Sequence, residues 1–551
     1  MPNNLSNLHP IIKKLLAAKG LNSETDIDLF LNPSLNHLPN PFDLSGVKEG
    51  TDRVIAAIQK KEKIVLFGDY DVDGITGSAQ LALFLKEVGA ICEVVLPHRI
   101  HDGYGLSESS VKKIKDLHPS LLITIDNGTK SKEAISSLKE AHIDTIVIDH
   151  HEAPDLENLP PVVALINPKT PGQHFEKTLA SAGLVFLFLI ALRSQLREVG
   201  IEGPNLKRYL DLACLGTIAD VVPLTGTNRI IVKFGLQELT QAQRPGIKAL
   251  KQVSALSETE EITPYHVGFR LAPRINAAGR MAHPEEALKL FLGHPEGVYV
   301  QAQKLEEYNR ERQQEEEKAL KEAYAMIEHP EKGQLNRRGI VVGSESWPLG
   351  VVGILAARIT EKYYCPAIAL TYFPDQKIAK GSARSIPGFS VYEALKNIES
   401  TMEKFGGHEA AAGMTISLEK LENFSQSFDQ SVFKLSPNPF EKKHRVDAEI
   451  LFSDISPLLI EQISLLEPFG MGNPEPTFMT SNLKLQDCRL LKEKHLKLTA
   501  SQGAISFDAI YFNGAEVFNR IQNTFQSLIY TLQNNVWNGK TTIQLKLKNL
   551  Q

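Results

Sequence analysis

Short apolar runs alternate with helical stretches between residues 63 and 166. The runs are Ile64–Phe67, Ile91–Leu96, Leu121–Ile125, Thr145–Ile148 and Val162–Ile166. The intervening helical stretches are Thr76–Val88, Ser107–Leu117 and Lys132–Ala141. Strands that alternate with helices of this length predict a parallel α/β sheet with helices on its faces.

The pattern changes further along the chain. Helical segments continue from Ala182 to about Phe291, and Gln301–Ala325 is dense in Glu, Lys, Arg and Gln without Pro or Gly. That composition predicts a long solvated helix between domains. A second α/β unit starts near Gly339, with predicted strands Ile340–Val342, Ala367–Leu370 and Ile378–Ala383 and predicted helices Val351–Tyr363 and Val391–Lys404.

The C-terminal part reads as a β domain. Two prolines in Ser436–Pro439 mark a linker. From His444 onward short strands dominate, and Asn538-Gly539 is a strong hairpin-turn dipeptide. We therefore predict a small β-barrel at this end of the chain.

Composition narrows the class of protein. The chain has 551 residues, of which 42% are hydrophobic and 23% charged, so three or four folded domains of ~150 residues are expected. The longest apolar run, Ala182 to Leu192, is shorter than the ~20 residues that span a bilayer. The four cysteines are far apart, and the first residues lack a signal-peptide profile. We expect a cytoplasmic protein without a membrane partner.

Charge is unevenly distributed. The net charge of the chain is −5, yet residues 481–551 carry nine Lys/Arg against four Asp/Glu. The interleaved aromatic residues are Phe507, Tyr511, Phe512, Phe518, Phe525, Tyr530 and Trp537. Basic and aromatic residues together suit single-stranded nucleic acid. The alternative is a β domain with an aromatic core and lysines along its edges.

Polar residues follow four of the five predicted strands of the first domain. They lie in Gly68–Gly74 (GDYDVDG), Asp126–Gly128, Asp149–His151 and Asn167-Pro168. Because the carboxyl ends of parallel strands meet at one edge, Asp69, Asp71, Asp73, Asp126, His150 and His151 should converge there. Mostly acidic groups so close together need divalent cations, and this donor set favours Mg²⁺ or Mn²⁺ over Zn²⁺.

Two other readings of these acidic residues exist. Each one singly fits a helix N-cap. The D-x-D-x-D-G pattern from Asp69 also resembles an EF-hand loop, but its twelfth position is Gln80 and a strand precedes it. Six converging groups favour the metal site.

These motifs carry a resemblance. GDYDVDG (68–74), DNG (126–128), DHH (149–151) and GTIADVVPL (216–224) resemble the four motifs of the DHH phosphoesterase superfamily, and FGGHEAAAG (405–413) resembles the signature of its companion DHHA1 domain. Further stretches are similar to the RecJ family of single-strand-specific 5′→3′ exonucleases: LPHRIHDGYGLS (96–107), APRINAAGRM (272–281), GVVGILAARI (350–359), GSARSIPG (381–388) and PFGMGNPEP (468–476).

The resemblance implies two metals that share Asp126. One would be held by Asp69, Asp71 and Asp126, the other by Asp73, Asp126, His150 and Asp220. A carboxylate that bridges two cations suits in-line displacement at phosphorus. Asp149 should orient a histidine from outside the ligand set, and His151 should face the scissile phosphate as a donor. The expected catalytic residues are thus His151, Asp149 and Asp126.

Three positions depart from the superfamily pattern. Asp69 stands where other subfamilies have His, Trp347-Pro348 replaces the usual Trp-His, and Leu184 replaces a smaller residue. Pro348 supplies neither a donor nor a metal ligand. None of these departures removes an expected metal ligand.

Substrate contacts are expected from arginines beside glycine or proline. Arg99, Arg274, Arg280 and Arg384 are interpreted as loop residues that reach phosphate, with Ser382 adding a hydroxyl to the Arg384 contact. Gly406, Gly407 and His408 are predicted to form a tight turn that lets backbone approach the substrate.

The predicted architecture is α/β, with a parallel-sheet DHH domain, a smaller α/β DHHA1 domain joined to it by a long helix, and a C-terminal barrel of the OB-fold type. The expected segments are an N-terminal arm (1–46), the DHH domain (47–230), a helical connector (231–330), the DHHA1 domain (331–437) and the OB-like domain (438–551).

The resemblance implies an exonuclease that degrades single-stranded DNA from its 5′ end and releases 5′-mononucleotides, using two Mn²⁺ or Mg²⁺ ions. It implies a role in recombination and repair beside single-strand-binding protein and a RecQ-type helicase, and we expect a monomer. Two alternatives are a DHH phosphatase for small substrates such as oligoribonucleotides or phosphoadenosine phosphate, and a replication factor that binds DNA without cutting it. Such non-catalytic relatives lose carboxylates, whereas this chain keeps them.

Overall fold

The computed structural model describes residues 7–99, 102, 105–518, 527–537 and 539–551. Phe525 and Asn538 lie outside these residues, and so does the side chain of Trp537. None of the helices in the described part is long and apolar enough to cross a membrane. Two helices, α1 (Pro10–Ala18) and α2 (Glu24–Leu31), precede the first sheet.

The first domain is the predicted parallel α/β sheet. Its strands are β1 (Lys63–Gly68), β2 (Ile91–Val95), β3 (Leu121–Ile125), β4 (Asp144–Ile148) and β5 (Ala164–Ile166), in the order β2-β1-β3-β4-β5. Its helices are α3 (Val47–Lys60), α4 (Val72–Glu87), α5 (Glu108–Asp116), α6 (Lys132–Glu140) and α7 (Ser181–Glu198). All four strand pairs are parallel. Helix α4 begins four residues before the predicted start because Asp71 caps it.

A helical connector follows. Its helices are α8 (Leu210–Ala219), α9 (Gly226–Gln241), α10 (Pro245–Val253), α11 (Pro264–His266), α12 (Ala272–Met281), α13 (Glu285–Leu292) and α14 (Val298–Ile327), with a π-helical turn, Val267–Leu271, between α11 and α12.

The expectation that the long helix is solvated was wrong for one of its faces. Helix α14 has 30 residues, and its buried positions recur every three or four residues. They are Val298, Ala302, Leu305, Asn309, Arg312, Glu316, Ala319, Ala323 and Ile327. The first part of this stripe packs on the connector core and the last part on the core of the second α/β domain. The helix therefore couples the two domains through packing.

The second α/β domain is a mixed sheet. Its elements are β6 (Ile340–Ser344), α15 (Val352–Tyr363), β7 (Ala367–Phe373), β8 (Ile378–Arg384), α16 (Val391–Lys396), β9 (Lys404–His408), β10 (Ala411–Ser417) and α17 (Leu421–Leu435). The strand order is β6-β7-β8-β10-β9, and the pair β6–β7 is parallel.

Two local predictions in this domain were wrong. The helix predicted over Val391–Lys404 ends at Lys396. Gly406, Gly407 and His408 do not form a tight turn but end strand β9, where Gly407 pairs with Ala412. A Cβ on Gly407 would lie 2.3 Å from the Ala411 carbonyl oxygen. The glycine therefore allows the close approach of two strands.

The C-terminal domain contains one seven-stranded sheet. Its elements are β11 (Ala448–Glu449), α18 (Pro457–Ser464), β12 (Phe478–Ser481), β13 (Lys484–Leu491), β14 (His495–Gln502), β15 (Ile505–Tyr511), α19 (Ala515–Phe518), β16 (Ser527–Trp537) and β17 (Lys540–Leu550). The strand order is β11-β12-β16-β17-β15-β14-β13.

Most of the described aromatic residues of this domain belong to its core. Tyr530 is fully buried and hydrogen-bonds Thr480, while Phe507, Tyr511 and Phe518 pack against the same apolar cluster. Phe512 is 47% exposed. The interpretation of the interleaved aromatics as a base-stacking surface was therefore wrong for the core residues, and the alternative of an aromatic core holds for them.

The two ends of the chain share one core. Leu8, Ile12, Leu15 and Leu16 of the N-terminal segment lie in the same apolar cluster as Phe452 and Leu459 of the C-terminal domain. The backbone N–H of His9 also donates to the Gln462 side chain at 2.6 Å. The N-terminal segment therefore packs as part of the C-terminal domain.

A single buried arginine connects this shared core to the connector. Arg229, on α9, is 2% exposed, and its guanidinium lies 3.9 Å above the Phe30 ring. It donates to four backbone carbonyl oxygens, those of Phe30, Leu465, Leu466 and Glu467, at 2.7–3.2 Å. Burial lowers the pKa of Arg229 to about 10, so the guanidinium stays charged at neutral pH.

Arg229→Met should destabilise the protein strongly, because it leaves buried carbonyl oxygens unpaired at about 1–3 kcal/mol each. Urea denaturation followed by circular dichroism measures the loss. The matched control is Arg208→Met, since Arg208 is about half exposed in its ion pair with Glu87, and it should cost less than about 1 kcal/mol. Equal losses for both variants would contradict the connecting role of Arg229.

Candidate metal centre

The end of β1 supplies three acidic residues. Asp69 follows the strand directly, and Asp71 caps α4 by accepting from the backbone N–H groups of Asp73 and Gly74 at 2.9 and 3.1 Å. Asp73 is buried in the first helical turn. A Cβ at Gly74 would lie 2.5 Å from the Asp69 backbone nitrogen. Glycine there allows the strand to turn into the helix within this motif.

Asp126 lies at the end of β3 in a left-handed backbone conformation, with φ of 65°. Its side chain accepts from the Ser181 hydroxyl at 2.9 Å. The backbone N–H groups of Ser181 and Ala182 donate to Asp73 at 2.7 and 2.8 Å. The N-terminus of α7 thus holds two carboxylates in place, as the dipole of a helix start favours.

The DHH segment lies at the end of β4. Asp149 is buried and accepts from the His151 ring nitrogen Nδ1 at 2.8 Å and from the Thr129 backbone N–H at 3.1 Å. The His150 ring nitrogen Nε2 lies 3.4 Å from carboxylate oxygens of both Asp126 and Asp220. Asp149 therefore orients His151, while His150 points into the acidic cluster.

These side chains form three overlapping groups in which the potential ligand atoms lie within 4.8 Å of one another. The groups are Asp69, Asp71 and Asp126; Asp73, His150 and Asp220; and Asp126, His150 and His151. Asp220 reaches the cluster from the C-terminal end of α8. Asp126 and His150 each belong to two groups, so the geometry suits two neighbouring cations better than one.

Without cations, the buried carboxylates of this site repel one another. Burial and the neighbouring Asp71 raise the pKa of Asp73 to about 7, and burial with Asp73 raises the pKa of Asp220 to about 9. Burial and acidic neighbours hold the pKa values of Asp69 and Asp126 well above their ordinary range. The Asp69 oxygen Oδ1 is buried without a hydrogen-bond partner in the described part of the chain. The residues therefore fit divalent cations.

The two histidines differ in charge. Burial and the neighbouring His151 lower the pKa of His150 to about 4, so its ring is neutral, as a metal ligand must be. Burial acts to lower the pKa of His151, but Asp149 outweighs it and raises that pKa above its ordinary value. In turn, His151 and Thr129 outweigh burial and hold the pKa of Asp149 well below its usual range.

A cluster of arginines lies beside the carboxylates. The Arg99 guanidinium lies 4.8 Å from the centre of the Tyr70 ring. In the sequence, Tyr70 stands between Asp69 and Asp71. Burial and repulsion from Arg99, Arg312 and Arg384 lower the pKa of Arg280 to about 9. Arg384 donates to the Ser382 hydroxyl. The predicted phosphate-binding residues Arg99, Arg280, Ser382 and Arg384 are thus brought together from two domains.

Three arginines do not lie in loops as predicted. Arg274 and Arg280 lie in α12, and Arg384 ends strand β8. Arg274 forms an ion pair with Glu306 of α14 at 2.6 Å, so it fixes helix packing instead of reaching toward the arginine cluster. His408 is near the cluster, since burial and the charges of Arg384 and His151 lower its pKa.

Comparison with known proteins agrees with this arrangement. Family models match the DHH family N-terminal domain over residues 63–217, the DHHA1 domain over 336–433 and the RecJ OB domain over 446–549. The single-stranded-DNA-specific exonuclease RecJ of Bacillus subtilis is 35% identical over 550 residues, 98% of this chain and 68% of that protein. The protein of the same name from Haemophilus influenzae is 34% identical over 98% of this chain and 96% of its own.

The chain belongs to the RecJ family. A solved RecJ structure from Thermus thermophilus in complex with Mn²⁺ has a TM-score of 0.80 and 28% identity, over 99% of this chain and 76% of that one. A second structure, of exonuclease RecJ bound to manganese, has a TM-score of 0.61 and 31% identity, over 72% of this chain and 96% of that one.

Sequence reasoning missed Ser181 and Tyr70 as parts of this RecJ site. Ser181 follows the strands by 15 residues and reaches Asp126 and Asp73 only because α7 returns to the sheet edge. Tyr70 lies inside the GDYDVDG motif, but the spacing of residues along the chain does not predict its contact with Arg99. The signal available in the sequence for Ser181 was its position at the start of an apolar helical stretch, directly before Ala182-Gly183.

The metal-free protein should lose stability as pH rises from about 6 to 9. The folded-state pKa values of Asp73 and Asp220 are raised to about 7 and about 9. At a pH between the ordinary carboxyl pKa and these raised values, the folded state binds more protons than the unfolded state does. Raising the pH through this range therefore favours unfolding. For a cooperatively unfolding unit of about 150–250 residues, the size range of the first domain, each kcal/mol lost should lower Tm by about 2–4 °C. Thermal unfolding with a chelator measures this, and Mn²⁺ should reduce the pH dependence. A rise of Tm over this range would contradict the electrostatic account.

Proposed function

We propose that the chain is an exonuclease that removes nucleotides from the 5′ end of single-stranded DNA and releases 5′-mononucleotides, with two divalent cations, Mn²⁺ or Mg²⁺, as cofactors. The observation that carries the proposal is the set of three overlapping carboxylate and histidine groups, two of which share Asp126 and two of which share His150. The membership of the chain in the RecJ family supports single-stranded DNA as the substrate.

In this proposal, one cation would be held by Asp69, Asp71 and Asp126. The other would be held by Asp73, His150 and Asp220 together with Asp126, whose carboxylate lies 3.4 Å from the His150 ring nitrogen. When bound, such cations neutralise phosphate charge and lower the pKa of water so that a nucleophile is available near neutral pH. The protein's own contribution is orientation. Ser181 and the start of α7 fix two of the ligands.

His151 is proposed to donate to the scissile phosphate. Asp149 fixes the orientation of its ring at 2.8 Å and raises its pKa, so that the ring keeps a proton for an anionic oxygen. Asp149 itself would act as a positioning residue, because its hydrogen bonds are made to His151, Thr129 and the local backbone.

The arginine cluster supports the 5′ polarity. Arg99 comes from the first domain, and Ser382 and Arg384 come from the second. Burial, and after it repulsion from Arg99, lowers the pKa values of Arg280 and Arg384. A terminal phosphate would relieve this repulsion and accept several charge-assisted hydrogen bonds. We therefore propose that the cluster binds the 5′ phosphate, with Gly406, Gly407 and His408 near the same place.

The cellular setting follows from the substrate. An enzyme restricted to single strands needs another protein to expose them, and exposed strands are covered by single-strand-binding protein. We propose that the chain acts as a cytoplasmic monomer in DNA recombination and repair, together with single-strand-binding protein and a RecQ-type helicase. Its four cysteines are free, as a reducing compartment requires.

The test of this function uses a single strand labelled at either end, with Mn²⁺ or Mg²⁺ and with a chelator. The wild-type chain should release labelled mononucleotide early only from the 5′-labelled strand. Asp126→Asn should lower the cleavage rate at least tenfold and keep the fold, because asparagine tolerates the left-handed backbone of this position. Release from the 3′ end, or retained activity of the variant, would contradict the proposal.

Arg384→Ala should lower kcat/KM roughly ten- to hundredfold on 5′-phosphorylated strands and much less on 5′-hydroxyl strands. The reason is that a charge-assisted bond contributes about 1.5–3 kcal/mol. Kinetics on the two substrates measure the difference. The matched control is Arg338→Ala in the same domain, whose guanidinium bonds the Pro437 carbonyl, and it should affect neither. Equal losses on both substrates would place Arg384 elsewhere along the strand.

A further inference from the structure

A pocket of about 360 Å³ opens beside the DHH segment. His150 and Glu152 line it from the segment that follows β4, and Lys169 and Lys177 line it from the segment that follows β5. Neither lysine belongs to the metal centre or to the arginine cluster. Two cationic side chains in a concave place next to a cation ligand suit an anionic group that extends from the metal centre.

The Asn167-Pro168 dipeptide after β5 holds the backbone of this lysine segment in place. Asn167 is fully buried, and its amide donates to the Thr129 hydroxyl at 3.0 Å and to the His151 carbonyl at 2.9 Å. Its side-chain oxygen accepts from the backbone N–H of Lys169 at 2.8 Å. The backbone of Lys169 is therefore tied to the DHH segment, and these hydrogen bonds do not use the Lys169 side chain.

The ammonium group of Lys169 faces the cleft between the two α/β domains. Its Nζ atom lies 3.0 Å from the Glu152 carboxylate, and the two side chains are 25% and 77% exposed. Burial is the main cause of the lowered pKa values of His150 and His408, and the positive charge of Lys169 adds to both. His150 belongs to the first domain and His408 to the second, so the charge lies near both walls. An exposed ion pair of this kind is weak, and a phosphate can replace Glu152.

The order of the strands places the lysines and the arginine cluster at opposite ends of the site. The order is β2-β1-β3-β4-β5, and Arg99 follows β2, Asp126 follows β3 and Lys169 follows β5. Neighbouring strands lie about 4.8 Å apart, so the ends of β2 and β5 are separated by about 19 Å. In the proposed function, the 5′ phosphate binds the arginines and the scissile phosphate lies at Asp126. The rest of the strand then continues toward the end of β5.

The lining of the pocket favours the backbone of a nucleic acid over its bases. The described residues of the lining include no Phe, Tyr or Trp on which a base could stack. Lysine binds phosphate as a point charge, and phosphate contacts position a strand without reading its sequence. The occupant that fits is therefore a phosphate of the sugar-phosphate backbone.

We propose that the pocket between Lys169 and Lys177 binds a backbone phosphate on the 3′ side of the scissile bond. The proposal rests on the exonuclease function proposed above and names a phosphate subsite of that same site. Lys169 exchanges Glu152 for the phosphate, and Lys177 adds a second positive charge. After each cleavage, this contact would hold the shortened strand near the cations while the released mononucleotide leaves.

The test compares full-length wild type with Lys169→Met and Lys177→Met on long single strands in the presence of Mn²⁺. One strand has phosphates throughout, and others have a single neutral methylphosphonate at the second, third or tenth linkage from the 5′ end. On the all-phosphate strand each variant should raise KM roughly three- to tenfold with little change in kcat, because an exposed charge-assisted contact is partly screened. For wild type, a neutral second or third linkage should cost as much, and the variants should lose nothing further there.

Glu152→Gln should have the opposite effect. It frees Lys169 from its ion pair, so KM should fall roughly 1.5- to fivefold, which a merely structural role of Glu152 would not produce. The matched control is Lys63→Met, since Lys63 forms a similar ion pair with Glu93 at 2.9 Å, is 33% exposed and starts β1 at the opposite edge of the sheet. Its KM should equal that of wild type.

Strand binding by fluorescence anisotropy at several salt concentrations tests the subsite whether or not the chain cleaves. Each lysine removed should reduce the slope of log affinity against log salt by about 0.7. Wild-type cleavage with unchanged KM, affinity and salt slope in both variants would overturn the subsite alone. A wild-type chain whose binding depends on Lys169 and on the second or third linkage, but which cuts none, would overturn the proposed function and leave the subsite standing.

Two further outcomes would overturn the phosphate contact. In the first, Lys169→Met and a neutral linkage near the 5′ end have fully additive effects, or the tenth linkage matters as much as the second and third. In the second, the variants weaken inhibition by a 5′-mononucleotide and leave KM for the strand unchanged, which would assign the pocket to the released product.

Discussion

The repulsion among buried carboxylates is the constraint on which the site depends. Asp69, Asp73 and Asp126 are almost fully buried within one edge of a sheet, where charged groups are costly without partners. The protein compensates part of this cost with the N-terminus of α7 and with Ser181. The remaining imbalance favours binding of cations, so folding stability and cation binding are linked.

The arginine cluster lies next to the acidic cluster without neutralising it. Arg99 lies over the Tyr70 ring, and Arg384 is engaged with Ser382, so the arginines have local partners other than the carboxylates. A site with separate acidic and basic halves can hold cations and phosphate at once. Helix α14, packed on both domain cores, keeps the two halves facing each other.

The sequence was sufficient where chemistry follows local rules. The convergence of Asp69, Asp126 and His150 could be predicted because parallel strands end at one edge of a sheet. Ser181 and Arg229 could not, because each acts through partners distant in sequence. The heptad-like stripe of α14 was hidden because three of its central positions are polar residues, buried by mutual pairing. The glycines of β9 were read as a turn for a similar reason, since their strand is defined by its partner β10.

The shared core of α1 and the C-terminal domain constrains the order in which these parts are able to fold during synthesis. Helix α1 is synthesised before the three domains that follow it, yet its apolar residues pack on Phe452 and Leu459. Arg229 has its carbonyl partners at residues 465–467. Until residues 452–467 have been synthesised, an apolar helix and a cationic side chain lack these partners. The nascent chain therefore exposes apolar surface that favours aggregation while the first sheet, the connector and the second α/β domain are being made.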